Sequence, residues 1–209
     1  MGRGSVVGSE GSIQVNAFDS EITKWLNADL GGFGPLDWAM KLLASDYLVP
    51  PLFALVIIGV IFAGRNPEER FRYQRLAFKA VIAIAMSNWI VAILNSQFDR
   101  DRPYVALPED IELMFYPATD PSFPANPTAV GFAVAVALLP VSRKLSIGLA
   151  SVALIVGFSR VYAGVFYPTD VLGAAVLGMA MPFLAGGIIR LFDPALNVAL
   201  RVARAFVVA

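Results

Sequence analysis

The side chains able to do chemistry in this chain are few in kind. It contains no histidine and no cysteine, so the commonest acid–base group and metal ligand is missing, together with any thiolate nucleophile, disulfide or cysteine metal site. Carboxylates, hydroxyls, lysine and arginine remain. They gather in three places: Arg102-Pro103, the segment Ser122-Phe-Pro-Ala-Asn-Pro-Thr-Ala129, and the segment Ser159-Arg-Val-Tyr-Ala-Gly-Val-Phe-Tyr-Pro-Thr-Asp170. Arg102 and Arg160 could grip a phosphate-like anion bidentately, with amides at a helix start near Thr128 donating further hydrogen bonds. The alternative for Arg160 is an ion pair with Asp170, because an arginine at a membrane boundary is costly unless paired or used. For Arg102 the adjacent Asp101 offers neutralisation, which favours a structural role.

The elements that would position these residues are membrane helices. Apolar residues make up 57% of the chain and charged residues 15%, with a mean hydropathy of +0.68, beyond the usual range of a soluble domain. The sixteen basic and sixteen acidic residues balance, which argues against nucleic-acid binding. Five apolar stretches approach the length needed to cross a hydrocarbon core: Leu48 to Gly64, Leu76 to Asn95, Pro127 to Val141, Leu145 to Ala163 and Val171 to Ile189. Asn126 suits the N-cap of the third and Pro127 its first turn. Pro140 and Pro182 predict kinks.

The expected fold is therefore an all-α polytopic membrane bundle of about five transmembrane helices, with interfacial helices at both ends. The stretch 1–15 reads as a flexible tail, 16–194 as the membrane domain and 195–209 as a C-terminal interfacial helix. Phe18, Ile22, Trp25, Leu26 and Leu30 recur at helical spacing, and Trp25 and Trp38 suit a membrane interface, which together predict an N-terminal surface collar. Basic residues cluster after the first span (Arg65, Arg70, Arg72, Arg75), between the third and fourth (Arg143, Lys144) and after the fifth (Arg190, Arg201, Arg204). Those regions are expected on the cytoplasmic side. The acid-rich loop from Phe98 to Phe123 and the three chemical segments then share the outward face.

With that placement the chain resembles the type 2 phosphatidic acid phosphatase superfamily, which includes undecaprenyl pyrophosphate phosphatases. The family patterns are Lys-x6-Arg-Pro, Pro-Ser-Gly-His and Ser-Arg-x5-His-x3-Asp. Here they stand as Asn95-x6-Arg102-Pro103, Pro124-Ala125-Asn126-Pro127 and Ser159-Arg160-x5-Phe166-x3-Asp170. The resemblance implies that the nucleophilic histidine position holds Phe166, the acid position Pro127, the phosphate-binding lysine position Asn95 and the serine position Ala125. Arg102, Ser159, Arg160 and Asp170 persist. A phenyl ring has no lone pair to attack phosphorus, and a proline has no proton to give a leaving oxygen. Ser122, Thr128, Tyr162 and Asp170 are the replacement nucleophiles present, none with a visible base beside it.

Three functions follow from a degenerate member of this family. The first is a pseudoenzyme serving as an accessory or structural subunit of a membrane protein complex, whose small-residue face at Gly173, Ala174, Gly178, Gly186 and Gly187 lets helices approach closely. The second is a non-hydrolytic binding protein or carrier for a lipid phosphate, isoprenoid or phospholipid, using Arg102 and Arg160. The third is a phosphatase with altered chemistry. The reading taken is the accessory subunit, with no cofactor and no metal, membrane lipids and membrane proteins as partners, and a place in the bacterial inner (cytoplasmic) membrane with the degenerate site facing the extracytoplasmic side.

Overall fold

Helix boundaries follow from local signals. The computed structural model describes residues 16–28, 32–45, 47, 49–114 and 117–191, and among these it is all-α. In chain order the helices are α1 (Ala17–Asn27), α2 (Gly34–Ala44), α3 (Val49–Phe62), α4 (Pro67–Phe98), α5 (Pro103–Ala106), α6 (Asn126–Ala137), α7 (Arg143–Tyr162) and α8 (Pro168–Leu191). The Asn66 side chain caps α4 by accepting the Glu69 N–H at 2.8 Å, Glu69 reaches back to the Arg65 N–H at 3.1 Å, and Pro67 occupies the first turn. Those are the pieces of a capping box. Ser142 caps α7 in the same way, through the Leu145 N–H. Helix α8 continues through Pro182.

Three of these helices, the α4 stretch, α7 and α8, are long and apolar enough to cross a bilayer, while α3 and α6 are shorter apolar helices. The third predicted span, Pro127 to Val141, is thus a correction: α6 stops at Ala137 and Pro140 lies in the turn before α7. At 12 residues, α6 is roughly 18 Å long. Its environment supplies what its length does not, since Ala129, Ala133, Val134, Ala135 and Ala137 are all essentially inaccessible and the helix is surrounded by α4, α7 and α8. Gly178 permits the closest crossing, because a Cβ there would stand 2.1 Å from the Ala129 carbonyl oxygen. Around this alanine-rich axis, Phe183, Leu191, Trp89, Ile147 and Val176 are left exposed on the bundle surface. Aqueous solvent would penalise such a surface and hydrocarbon does not, so the chain is an integral membrane protein.

The N-terminal collar has an inverted arrangement. Trp25 and Phe18 of α1 are exposed, as expected of an interfacial helix, but its inward stripe is polar: Asp19, Thr23 and Asn27, four residues apart, are all buried. Leu30, the tail 1–15 and the C-terminal stretch 195–209 lie outside the described residues. The small-residue face of α8 is mostly internal. Ala174 and Gly178 are buried, the Phe123 ring covers Gly173, and Lys79 lies against Gly186; only Gly187 has open space around it.

Candidate anion-binding site

The C-terminal ends of α4 and α7 and the N-terminal ends of α6 and α8 converge at one end of the bundle. Helix α4 stops at Asp99, whose φ of 38° is left-handed, a conformation that aspartate tolerates better than most residues. The chain reverses there and turns Arg100 inward. Arg100 is almost wholly buried between two carboxylates: Nη2 lies 2.6 Å from Asp19 Oδ2, and Nη1 bonds Asp170 Oδ1. Asp170 Oδ2 also accepts the Tyr167 N–H at 2.9 Å, and Thr169 donates its N–H to Asp19 Oδ1 at 3.1 Å. The Arg100 guanidinium stacks on the Tyr167 ring at 4.3 Å. Burial pushes the Tyr167 phenol up to about 12, against the opposing pull of Arg100.

This network corrects the expected ion pair of Arg160 with Asp170. The carboxylate of Asp170 is taken by Arg100 Nη1 and the Tyr167 N–H, whereas Arg160 is among the residues lining a cavity. Asp101 likewise is not the partner of Arg102. That arginine is buried, its Nε donates to the Asp120 carbonyl at 2.8 Å, its Nη2 lies 3.0 Å from Asp120 Oδ1 and its Nη1 donates to the Val165 carbonyl at 3.3 Å. Its guanidinium also lies over the Phe166 ring, 4.6 Å from the centroid. Cation–π contact at that distance is favourable, so the ring standing at the family's nucleophile position acts here as a platform for an arginine.

Arg102, Phe166, Pro127 and Arg160 share a cavity of about 480 Å³, also lined by Asp120 and by the end of α2 at Ala44 and Ser45. A second cavity of about 570 Å³ runs down into the membrane between α3, α4 and α6, walled by Phe53, Ile57, Ile61, Val81, Ile84 and Val130. Ser45, Asn126, Pro127 and Arg160 line both. The site is thus a chamber carrying two arginines and an aspartate that adjoins an apolar groove, with Arg160 in the wall of both.

Of the residues singled out in the sequence, the structure brings together Arg102, Arg160, Pro127 and Phe166. Thr128 is not among them. It is buried away from both cavities, its N–H donates to the Ala125 carbonyl at 3.1 Å, and its Oγ1 abuts Gly157. The expected anion-binding helix start is lost with it, since Pro127 has no N–H and the Ala129 N–H also goes to Ala125. The N-cap is Ala125 rather than Asn126, and its N–H is bound to the Asp170 carbonyl at 3.2 Å. Asn95, on the last turn of α4, lines neither cavity. The hydroxyls of Ser122 and Tyr162 are turned to the Asp101 carbonyl and to Asp37, so no replacement nucleophile weighed from the sequence lines the chamber.

Sequence reasoning missed Arg100, Asp19, Asn27 and Asp120. Asn27 is a backbone clamp: it donates to the carbonyls of Glu112 and Tyr162 at 2.9 and 3.0 Å and accepts the Glu112 N–H at 2.7 Å. The signal for Asp19 and Asn27 was present as the period-four polar stripe of α1, which the apolar positions of the same helix obscured.

The fold and site define an all-α integral membrane bundle with arginine and aspartate side chains gathered at one end. The chain belongs to the PAP2 superfamily, which it matches over residues 76–190, from within α4 almost to the end of α8. Undecaprenyl-diphosphatase BcrC of Bacillus subtilis is 27% identical over 157 residues, 74% of this chain and 77% of that protein. Among solved structures, Aquifex aeolicus LpxE superposes with a TM-score of 0.66 at 26% identity, covering 83% of this chain and 98% of that one. A PAP2-type phosphatidylglycerolphosphate phosphatase from Bacillus subtilis gives 0.61 at 25% identity, covering 85% and 89%. The chain is therefore related to lipid phosphatases.

Proposed function

We propose that this protein binds a phosphorylated lipid in the membrane without the family's histidine-dependent hydrolysis. The observation that supports the reading is that the chamber and the groove adjoin, sharing Ser45, Asn126, Pro127 and Arg160. The groove offers apolar walls for a lipid tail, and Arg160, in the wall of both cavities, supplies a cation of the kind that binds a headgroup phosphate. Hydrolysis is disfavoured by the same geometry. Phe166 offers no nucleophilic atom, Pro127 no proton, and loss of a nucleophile costs several orders of magnitude even when the binding groups persist. The name of the Bacillus subtilis relative suggests a polyprenyl phosphate or diphosphate as one ligand of suitable chemistry.

This ordering places lipid binding above the accessory-subunit reading, because most of the small-residue face that could dock a partner helix is used inside the bundle. The distribution of basic residues supports an orientation with the chamber outward, and the bacterial relatives support a bacterial cytoplasmic membrane. The test is isolation in mild detergent followed by native mass spectrometry and a phosphate-release assay on a prenyl diphosphate. The expected result is a stoichiometric phosphorylated lipid, lost in Arg160→Gln, with no release of inorganic phosphate. Stoichiometric protein partners without such a lipid would overturn the reading in favour of an accessory subunit; phosphate release abolished by Arg160→Gln would overturn it in favour of an enzyme.

A further inference from the structure

Arg102 does not present an open guanidinium to the chamber. Two backbone carbonyls, of Asp120 and Val165, and the Asp120 carboxylate occupy its edge, while the Phe166 ring covers a face. The two partners of the ion pair are held very differently. The Arg102 side chain is 5% exposed and fixed by groups other than Asp120's carboxylate, whereas the Asp120 side chain is 61% exposed, and among the described residues Arg102 is the only partner of that carboxylate. Asp120 sits on the loop between α5 and α6 and itself lines the chamber. A carboxylate presents an arginine with the same kind of paired anionic oxygens as a phosphate does.

We propose that Asp120 is an internal competitor for the ligand's phosphate, seated on Arg102 while the chamber is empty and displaced when a phosphate enters. This rests on the lipid-phosphate reading given above. Displacement moves one exposed side chain and leaves Arg102 in place, still held by the two carbonyls and the ring. Asp120 thus sets affinity: the phosphate gains Arg102 only by giving up the energy of the existing pair. Its negative charge also lies at the wall of the chamber and opposes any anion that enters.

The experiment is calorimetric titration of the purified full-length protein in detergent with farnesyl phosphate and, separately, with inorganic phosphate, for wild type, Asp120→Asn and Asp120→Glu. Asp120 is exposed, so neither substitution threatens the fold. Asp120→Asn is expected to tighten phosphate binding about fivefold, the scale of one exposed ion pair, while Asp120→Glu, which restores the competing carboxylate, stays near wild type. Tighter binding of farnesyl phosphate than of inorganic phosphate identifies the lipid as the source of the phosphate; equal binding identifies free phosphate. If wild type binds and Asp120→Asn binds equally well or more weakly, the competitor proposal is overturned and the lipid-phosphate reading stands. If no variant binds either probe, that reading fails and takes this proposal with it.

Discussion

Removing Asp19 should undock the N-terminal helix. Its carboxylate accepts Arg100 Nη2 at 2.6 Å, the Thr169 N–H at 3.1 Å and the Thr169 hydroxyl, all at a site with 1% side-chain exposure. Arg100 would keep Asp170 and the Thr169 hydroxyl, which accepts its Nη1 at 2.9 Å, so no cation is orphaned, but the Thr169 N–H and O–H would each lose their acceptor and a buried charge-assisted contact would vanish. Breaking such a buried pair costs about 3–5 kcal/mol; because half of the guanidinium's pairing survives, the lower end, about 3 kcal/mol, is the expected loss for Asp19→Ala. That corresponds to a fall in melting temperature of roughly 6–12 °C for a chain of this size. The assay is thermal unfolding in detergent, paired with amide hydrogen exchange over residues 17–27, and Glu21→Ala on the exposed face of α1 is the control. If Asp19→Ala melts with Glu21→Ala and the exchange protection of α1 is unchanged, then the polar stripe is not what holds this helix, and the reasoning fails.

Helix packing and burial set three further outcomes. Gly178→Ala would push a methyl group into the Ala129 carbonyl and should cost about 3 kcal/mol by forcing α6 and α8 apart, whereas Gly187→Ala, with open space around it, should stay within about 0.5 kcal/mol of wild type; parallel melting curves decide it. Tyr167 should remain un-ionised until about pH 12, while exposed tyrosines ionise near 10. Because its folded-state value is raised, its contribution to stability is fully present below pH 10 and disappears as pH climbs towards 12. An ultraviolet titration of the phenolate should therefore show a late step that Tyr167→Phe abolishes, and a single step common to all tyrosines would contradict the burial argument.

Much of this architecture was legible because bilayer helices write themselves in uninterrupted apolar runs. Helices α4, α7 and α8 fall close to their expected places. The third span was overdrawn since hydropathy does not distinguish a helix facing lipid from one wrapped by other helices, and α6 is the latter. The motif spacings brought Arg102, Arg160, Pro127 and Phe166 to one chamber, but the pairing of charges was not legible. Arg100 and Arg102 are two residues apart, and which one enters the carboxylate pair depends on the left-handed turn at Asp99, a tertiary choice with no composition signature. Thr128 was misplaced for a similar reason: a helix-start amide binds an anion only if it is uncommitted, and here the Ala125 carbonyl takes those of Thr128 and Ala129.

The polar inner stripe of α1 also fixes an order of events during biosynthesis. Asp19 and Asn27 find their partners at Arg100, Tyr162 and Thr169, separated from them by 81, 135 and 150 residues. Helix α1 therefore has no receptor until α4, α7 and the start of α8 have been made and inserted. Until then its exposed Trp25 and Phe18 suit it to wait on the membrane surface, so that a helix made before α4, α7 and α8 is seated only after them.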